Sequence, residues 1–339
     1  MKETYFAAQN SAEGFVNYFP QIFGRDAEIY ILKGGPGTGK SYFLSEIASA
    51  ARARGMECQY YLCSSDPDSL DGVRSPSLGI SFFDGTAPHN AEPTLAGARE
   101  EIVNLGQFWD AKQLRQNRAA IEWQSECKKR AYNAALDHLR LAGQLKKHTF
   151  SILQPYVDQE KLNVCAKRFA QKRRKGSGEE KIEVVHSYGM KGERMLPTFR
   201  KKAERIVGIR PCYGVEYLYG KAILDACRDM GVAVCYSPHP LLPSFPELLF
   251  FEEEKLLVTI NTEEKAMGTR RFWKVFPTEQ RKLLCFLKQG EKNLIEAAMD
   301  AFEKMKTAHF ALESIYGKAM DFERKQQFSD AFLRSIFDR

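Results

Sequence analysis

Residues 34–41 read Gly-Gly-Pro-Gly-Thr-Gly-Lys-Ser, a run poor in side chains that ends in a cation and a small hydroxyl. Residue types in this arrangement suit the binding of phosphate. Several backbone N–H groups can converge on one anion only where side chains do not obstruct them, and glycine removes the obstruction. A helix starting at the end of the loop adds partial positive charge at the same point. Lys40 is expected to reach the outer phosphates of a nucleotide, and the Ser41 hydroxyl to ligate Mg²⁺. Gly34, Gly35, Pro36, Gly37, Thr38 and Gly39 complete the expected nucleotide contacts.

Such a site also needs a carboxylate near the metal, at the end of an apolar strand. Leu78-Gly79-Ile80-Ser81-Phe82-Phe83 supplies the strand and Asp84 the carboxylate. Lys40 and Asp84 are therefore the expected catalytic pair, and Ser41 and Asp84 the expected Mg²⁺ ligands. The competing reading of Asp84 is a turn residue before Gly85. Asp66, Asp68 and Asp71 lie in an acidic loop and suit turns and helix caps, a substrate or metal contact being the alternative for any of them, with Asp66 counted among the candidate site residues. His89, after Gly85-Thr86-Ala87-Pro88, is read either as a phosphate sensor or proton acceptor or as a surface histidine.

The elements that must position these residues are legible. Ile29, Tyr30, Ile31 and Leu32 make a buried strand that runs into the glycine loop. Phe43, Leu44, Ile47, Ala48 and Ala51 recur at helical spacing behind it, and Gly55 suits the helix stop. Strand, glycine loop and helix form the full Walker A context, Gly34-x-x-x-x-Gly39-Lys40-Ser41. A further strand is expected over Glu57–Cys63. In a parallel sheet, Asp66 and Asp84 would then both lie at the strand ends that carry the loop. Residues 95–170 have helical spacing without a strand signal; Trp109 and Trp123 are read there as packing residues, and Pro155 as a helix end near Gln154.

An internal repeat lays Tyr30–Thr86 over Ile206–Thr262 without a gap, setting Gly55 on Gly231 and the Ile80–Phe83 strand on Leu256–Thr259. The seam Leu294, Ala298, Ala301, Met305, Ala308, Leu312 and Ile315 likewise falls on a weaker one running from Ala131 to Ile152. In the second copy Arg210 stands opposite Gly34, Val215 opposite Gly39, Glu216 opposite Lys40, Tyr217 opposite Ser41 and Ile260 opposite Asp84. A glutamate facing a triphosphate repels it, so this copy is expected to keep the fold without the chemistry. The expected division is an active half over 1–178, with a helical appendage at about 95–175, and a degenerate half over 179–339. Between them a basic run, Lys167 to Lys175, precedes Gly176-Ser177-Gly178 and reads as a solvated helix end and linker, or else as a nucleic-acid contact.

Composition sets outer limits. The chain has 339 residues, 44% of them hydrophobic and 27% charged, as ordinary globular proteins have. Its 8 cysteines are scattered without a Cys-x-x-Cys pair, which suits reduced thiols and a cytoplasmic setting. No apolar run reaches membrane-spanning length and the N-terminus lacks a secretory core, so no membrane partner is expected. A net charge of +7 permits nucleic acid without requiring it.

Through Gly34–Ser41 and Asp84 the chain resembles the P-loop NTPase superfamily. Through those residues together with Ser65–Asp71 and Phe83–His89 it resembles, over nearly its whole length, a bacterial family of duplicated P-loop ATP-binding proteins, a resemblance that assigns no biological task. It implies a three-layer αβα fold with a parallel sheet, duplicated in tandem, with ATP and Mg²⁺ as cofactors and ATPase activity. This sequence departs from that family by losing its second Walker A. It also has Gly85 where many P-loop hydrolases place a water-orienting glutamate, so fast hydrolysis is not implied. No Asn/Thr-Lys-x-Asp motif occurs, which leaves ATP as the nucleotide by elimination. Three functions fit: a Mg-dependent ATPase, turning over slowly or with a partner; a small-molecule or nucleotide kinase; and a nucleic-acid-associated ATP switch. Arg270 and Arg271 are the guesses for a cation that the second half lends to the site.

Overall fold

Apart from one short helix, elements succeed one another in the same order twice along the chain. The first succession is β1 (Glu3–Phe6), the hairpin β2 (Ala8–Ser11) and β3 (Gly14–Asn17), α1 (Phe19–Phe23), β4 (Glu28–Lys33), α2 (Lys40–Ala53), β5 (Gln59–Leu62), β6 (Leu70–Ser75), β7 (Ile80–Asp84) and β8 (Glu100–Asn104). Helices α3 (Ala111–Gln116), α4 (Arg118–Leu153) and α5 (Gln159–Gln171) follow. The second is β9 (Glu180–Ile182), the hairpin β10 (His186–Gly189) and β11 (Gly192–Met195), α6 (Thr198–Lys202), β12 (Arg205–Ile209), α7 (Val215–Asp229), β13 (Val234–His239), β14 (Leu242–Phe251), β15 (Leu256–Ile260), β16 (Ala266–Met267), α8 (Arg281–Lys318) and α9 (Phe322–Phe337). This computed structural model describes residues 3–175 and 180–338, so the Gly176-Ser177-Gly178 linker and the expected boundary after it lie outside the described residues.

The protein is α/β, with two six-stranded sheets ordered β1-β5-β6-β7-β4-β8 and β9-β13-β14-β15-β12-β16. Both are mixed, which corrects the expectation of a parallel sheet. β6 runs antiparallel to β5 and β7, and β14 to β13 and β15. The cause is loop length: residues 63–69 and 76–79 are too few for the crossover that parallel neighbours require. A second correction concerns β8, which pairs in parallel with β4 inside the stretch read as helical. Its sequence, Glu-Glu-Ile-Val-Asn, is mostly polar because it lies at a sheet edge, with Ile102 exposed.

Along β4 successive side chains bury on opposite faces. Tyr30 and Leu32 pack with Phe43 and Leu44 of α2, whereas Ile29 and Ile31 join Phe19 and Phe23 of α1. The α1 face is continuous with the second sheet, because Phe199, Leu248, Phe250 and Leu257 belong to the same cluster. The sheets meet edge to edge where the Phe6 N–H donates to the Val184 carbonyl at 2.8 Å. Beside this junction a cavity of about 410 Å³ is lined by Tyr5, Arg74, Glu183 and Lys202, among others. One oxygen of the buried Glu183 carboxyl has no hydrogen-bond partner there, and burial pushes its pKa up to about 8 against the pull of Arg74 and Lys202.

Helices α4 and α8 pack antiparallel along their length. Ladder contacts Trp109–Met320 and Val157–Trp273 fix the two ends of the pair. Ala135, Leu139 and Ala142 meet Ala298, Ala301, Phe302 and Met305 in the seam, small residues allowing close approach. Trp123 is 66% exposed, which corrects its reading as a packing residue: it lies off that seam. The helices then cross over. α5 packs on α7 of the second sheet, and α9 packs on α2 of the first. The basic run is partly consumed by this packing, since Arg173 pairs with Glu254 at 2.7 Å and covers Phe169 and Phe251. No helix among the described residues is long and apolar enough to cross a membrane.

Phe332 is the anchor of α9, with ring centroids 5.4 Å from Tyr30 and from Phe43 and 6.3 Å from Phe82. Phe332→Ala is expected to cost about 3 kcal/mol through the cavity it leaves. Urea unfolding monitored by circular dichroism checks this; an unchanged midpoint would mean that α9 contributes nothing to the first sheet.

Candidate functional site

The glycine loop lies between the C-terminal end of β4 and the N-terminus of α2. Gly37 and Gly39 have φ of 72° and 77°, left-handed values that favour glycine. Gly39 is also the N-cap of α2 and offers no side-chain cap. Among the described residues no protein acceptor meets the N–H groups of Gly37, Gly39, Lys40 or Ser41. The Thr38 hydroxyl donates to the Gly35 carbonyl at 2.9 Å and so holds the turn. Lys40 folds back over the loop, its ammonium donating to the carbonyls of Gly34 (2.7 Å) and Gly35 (2.9 Å).

β7 lies beside β4 in parallel, with Leu32 opposite Asp84, so the carboxylate emerges next to the loop. Asp84 Oδ2 is 3.5 Å from Lys40 Nζ, both side chains being largely buried. Asp84 Oδ1 accepts from the Thr86 N–H (2.8 Å) and hydroxyl (2.5 Å), which fixes its orientation. Ser41 Oγ accepts from the Leu70 N–H at 2.9 Å, placing the loop serine against the start of β6. Gly85 cannot carry a side chain: a Cβ there would lie 2.2 Å from Ile31 Cγ2.

Asp66 accepts from the Ser69 hydroxyl at 2.8 Å and acts as a turn residue. Asp71 lies within β6, and its carboxylate is 3.1 Å from His89 Nε2. His89 is buried and stacks on Phe19 with centroids 4.4 Å apart, so the surface alternative is set aside. Burial lowers its proton affinity, but Asp71 outweighs this and raises its pKa above the ordinary value. The fields of Asp84 and Lys40 also reach the ring, which places His89 at the margin of the same cluster.

The far wall is one that sequence reasoning missed. It comes from α8 and from Trp109, which precedes α3. A Cβ on Gly37 would lie 2.6 Å from the Glu313 carbonyl, and one on Gly35 would touch Trp109 and Tyr316. The buried indole N–H of Trp109 has no acceptor. Burial lowers the pKa of Lys128 on α4, with the charges of Cys63, Glu313 and Asp84 opposing it and that of Lys40 adding to it. A sequence signal existed: Lys128 continues the α4 seam one turn before Ala131, an interior position for a charge. Arg270 and Arg271 are not part of this wall. They stack on Phe276 and Phe272, beyond the second sheet.

The loop before α7 is built differently. Counted back from the left-handed glycines Gly55 (φ 76°) and Gly231 (φ 64°) after the two helices, Glu216 stands where Lys40 does. Glu216 is buried, and its Oε2 accepts from the N–H groups of Cys212 (2.8 Å) and Gly214 (2.9 Å). Burial raises its pKa, opposed by those N–H groups. The indole N–H of Trp273 donates to Cys212 Sγ at 3.2 Å, so it too has an acceptor here. Glu216→Ala is expected to lower stability by about 2–3 kcal/mol by stranding buried N–H groups. Inorganic phosphate should restore part of the lost melting temperature. An alanine variant as stable as wild type would show that the carboxylate does not hold the loop.

Among the described residues no group of three or more His, Cys, Asp or Glu side chains gathers as a metal site. Nucleotide-bound Mg²⁺ takes one or two protein oxygens along with phosphates and water, so Ser41 and Asp84 fit that pattern. Comparison with protein-family models, with curated proteins and with solved structures returned no match.

Proposed function

We propose that the chain binds Mg·ATP at Gly34–Ser41 and hydrolyses it, as a duplicated P-loop protein with one active and one degenerate half. One observation carries this reading. The first loop presents N–H groups with no protein acceptor beneath a lysine, whereas the second turns its N–H groups onto its own Glu216. The first is a cradle for an external anion and the second contains its own. The shared strand order and the parallel placement of α2 and α7 support duplication. Bound Mg²⁺ would be held by Ser41 and Asp84 and would neutralise phosphate charge. Lys40 would turn from the Gly34 and Gly35 carbonyls to the phosphates, with Asp84 beside it. Because α8 and α9 of the second half cover the loop and α2, a change at the phosphates is transmitted to that helical pair.

Mg·ATP titration calorimetry with phosphate release on the same purified protein tests the proposal. Binding with release supports it; absence of binding refutes it. Binding without release moves a second reading forward, transfer to a small-molecule acceptor. That reading is favoured by Gly85, where packing against Ile31 leaves no room for a water-orienting acid. Phosphate transfer to an acceptor from a metabolite pool then discriminates.

A further inference from the structure

Ser41 of the glycine loop has a neighbour that rests on the second half. Residues 63–69, between β5 and β6, form a closed loop. The Cys63 N–H donates to the Ser69 carbonyl at 2.9 Å, and the Ser69 N–H and hydroxyl both donate to Asp66. The end of this loop delivers the Leu70 N–H to Ser41 Oγ at 2.9 Å. The same loop lies against the tip of the β10–β11 hairpin. The Met190 N–H donates to the Ser65 carbonyl at 2.7 Å, and Lys191 pairs with Asp68. A Cβ on Gly189 would lie 2.6 Å from the Ser65 carbonyl oxygen and 2.7 Å from that of Ser64, so hairpin and loop meet backbone to backbone.

Asn10 locks this contact from the first half. It is fully buried, accepts from the Tyr132 hydroxyl of α4 at 2.7 Å and donates to the Tyr188 carbonyl of β10 at 2.7 Å. The same amide reaches the Ser64 carbonyl and the Ser65 hydroxyl, at 3.4 Å each. The reverse contact shows the contrast. β13 and β14 are joined by Pro240 and Leu241 alone, and the Ala12 N–H at the tip of the β2–β3 hairpin donates to the Pro240 carbonyl at 2.8 Å. The halves thus exchange hairpin tips, but a long polar loop lies under the tip only beside Gly34–Ser41. Such a loop needs anchors to keep one conformation, because ordering its backbone costs entropy.

Resting on the nucleotide reading above, we propose that the Gly189-Met190-Lys191 tip is a positioning element of the site, through which the second half sets the orientation of Ser41 toward nucleotide-bound Mg²⁺. A serine oxygen has two lone pairs. The Leu70 N–H occupies one on Ser41 and leaves the other for a cation. Partners that orient a metal ligand change metal affinity without touching the ion. The degenerate half therefore serves the first site by contact rather than by binding a nucleotide of its own. Asn10 and Tyr132 are the positioning residues that the first half adds to the same knot.

The test measures ATP affinity by titration calorimetry, once with Mg²⁺ and once with EDTA, for wild type, Gly189→Ala and a charge-reversed pair. Amide exchange over residues 63–70 and melting temperature are read on the same proteins. Gly189→Ala has to push the loop away, because its Cβ meets backbone oxygens. It is expected to speed exchange over residues 63–70 and to cut the Mg²⁺-dependent gain in affinity about tenfold, leaving affinity in EDTA within about twofold. Lys191→Asp sets a second carboxylate against Asp68 and should cut the gain about threefold, with Asp68→Lys in the same chain restoring it. A folded Gly189→Ala protein with an unchanged gain would overturn the proposal. If Gly189→Ala does not fold, the charge pair decides: loss with restoration supports the proposal, and no loss overturns it. If wild type binds ATP equally well in Mg²⁺ and in EDTA, the Ser41 assignment and this proposal fail while the loop remains a nucleotide site. If wild type binds no ATP at all, the nucleotide reading itself fails, an outcome visible before any variant is made.

Discussion

Replacing Lys40 with alanine is expected to reduce phosphate release from Mg·ATP on the order of 10²–10³-fold and to weaken ATP binding about tenfold or more. Lys40 rests on the carbonyls of Gly34 and Gly35 and lies 3.5 Å from Asp84, so its ammonium sits at the loop before any phosphate arrives. Losing it removes the one cation that the loop itself contributes and leaves Asp84 facing the phosphates unopposed. The fold should change little, because the Lys40–Asp84 separation is long for an ion pair and each partner keeps other bonds or solvent contact. Measured together, release, binding and melting temperature separate a site effect from a folding effect. Equal release and affinity in the two proteins would place the chemistry away from this loop.

Glu183→Gln is expected to flatten the pH dependence of stability on the alkaline side. The Glu183 carboxyl faces the cavity between the two sheets, and burial raises its pKa to about 8 from the ordinary 4.5. The fold thus holds the protonated form. Below about pH 4.5 both folded and unfolded chains carry the proton, and the full stability is present. As pH rises from there to about 8 the unfolded chain ionises first, and stability falls until the folded carboxyl ionises too. Over that window the loss amounts to roughly 2–4 kcal/mol, allowing for relaxation and partial solvent access. Glutamine mimics the neutral carboxyl and does not titrate, so the variant should match wild type near pH 5 and exceed it near pH 8. Urea titrations at the two pH values measure the difference directly. A wild-type and variant pair whose difference does not change with pH would mean that Glu183 is ionised in the fold. His186 acts in the same direction: despite burial, Glu247 and Glu193 raise its pKa to about 9, and it remains in both proteins as a common background.

How far the sequence led depended on the range of the interactions concerned. The glycine loop, β4, α2 and the strand ending at Asp84 were legible because each is specified by neighbours in the chain: the left-handed φ of Gly37 and Gly39, the apolar run of β4, the helical spacing behind Lys40. The two successions of elements were also visible as a pattern, down to the left-handed glycines Gly55 and Gly231. The antiparallel β6 was missed because its start, Leu70-Asp71, was read as the end of an acidic loop, and β8 because an edge strand of glutamates carries little apolar signal. Trp123 was read as buried because a tryptophan in an amphipathic stretch usually is, whereas the seam passes elsewhere on α4.

Chain-local chemistry therefore marked the glycine loop between β4 and α2 and that the second loop differs, since Glu216 opposite Lys40 can be seen in the residues alone. Only the tertiary structure decided what faces the first loop and what satisfies the second. Trp109 and Tyr316 meet at the glycine loop because α4 and α8 pack antiparallel, and α9 reaches the first sheet because the helices cross over. Glu216 bonds to Cys212 and Gly214 because the loop curls back over its own helix. Such contacts depend on the relative placement of elements far apart in the chain, which burial of the shared seam determines and which no local spacing encodes.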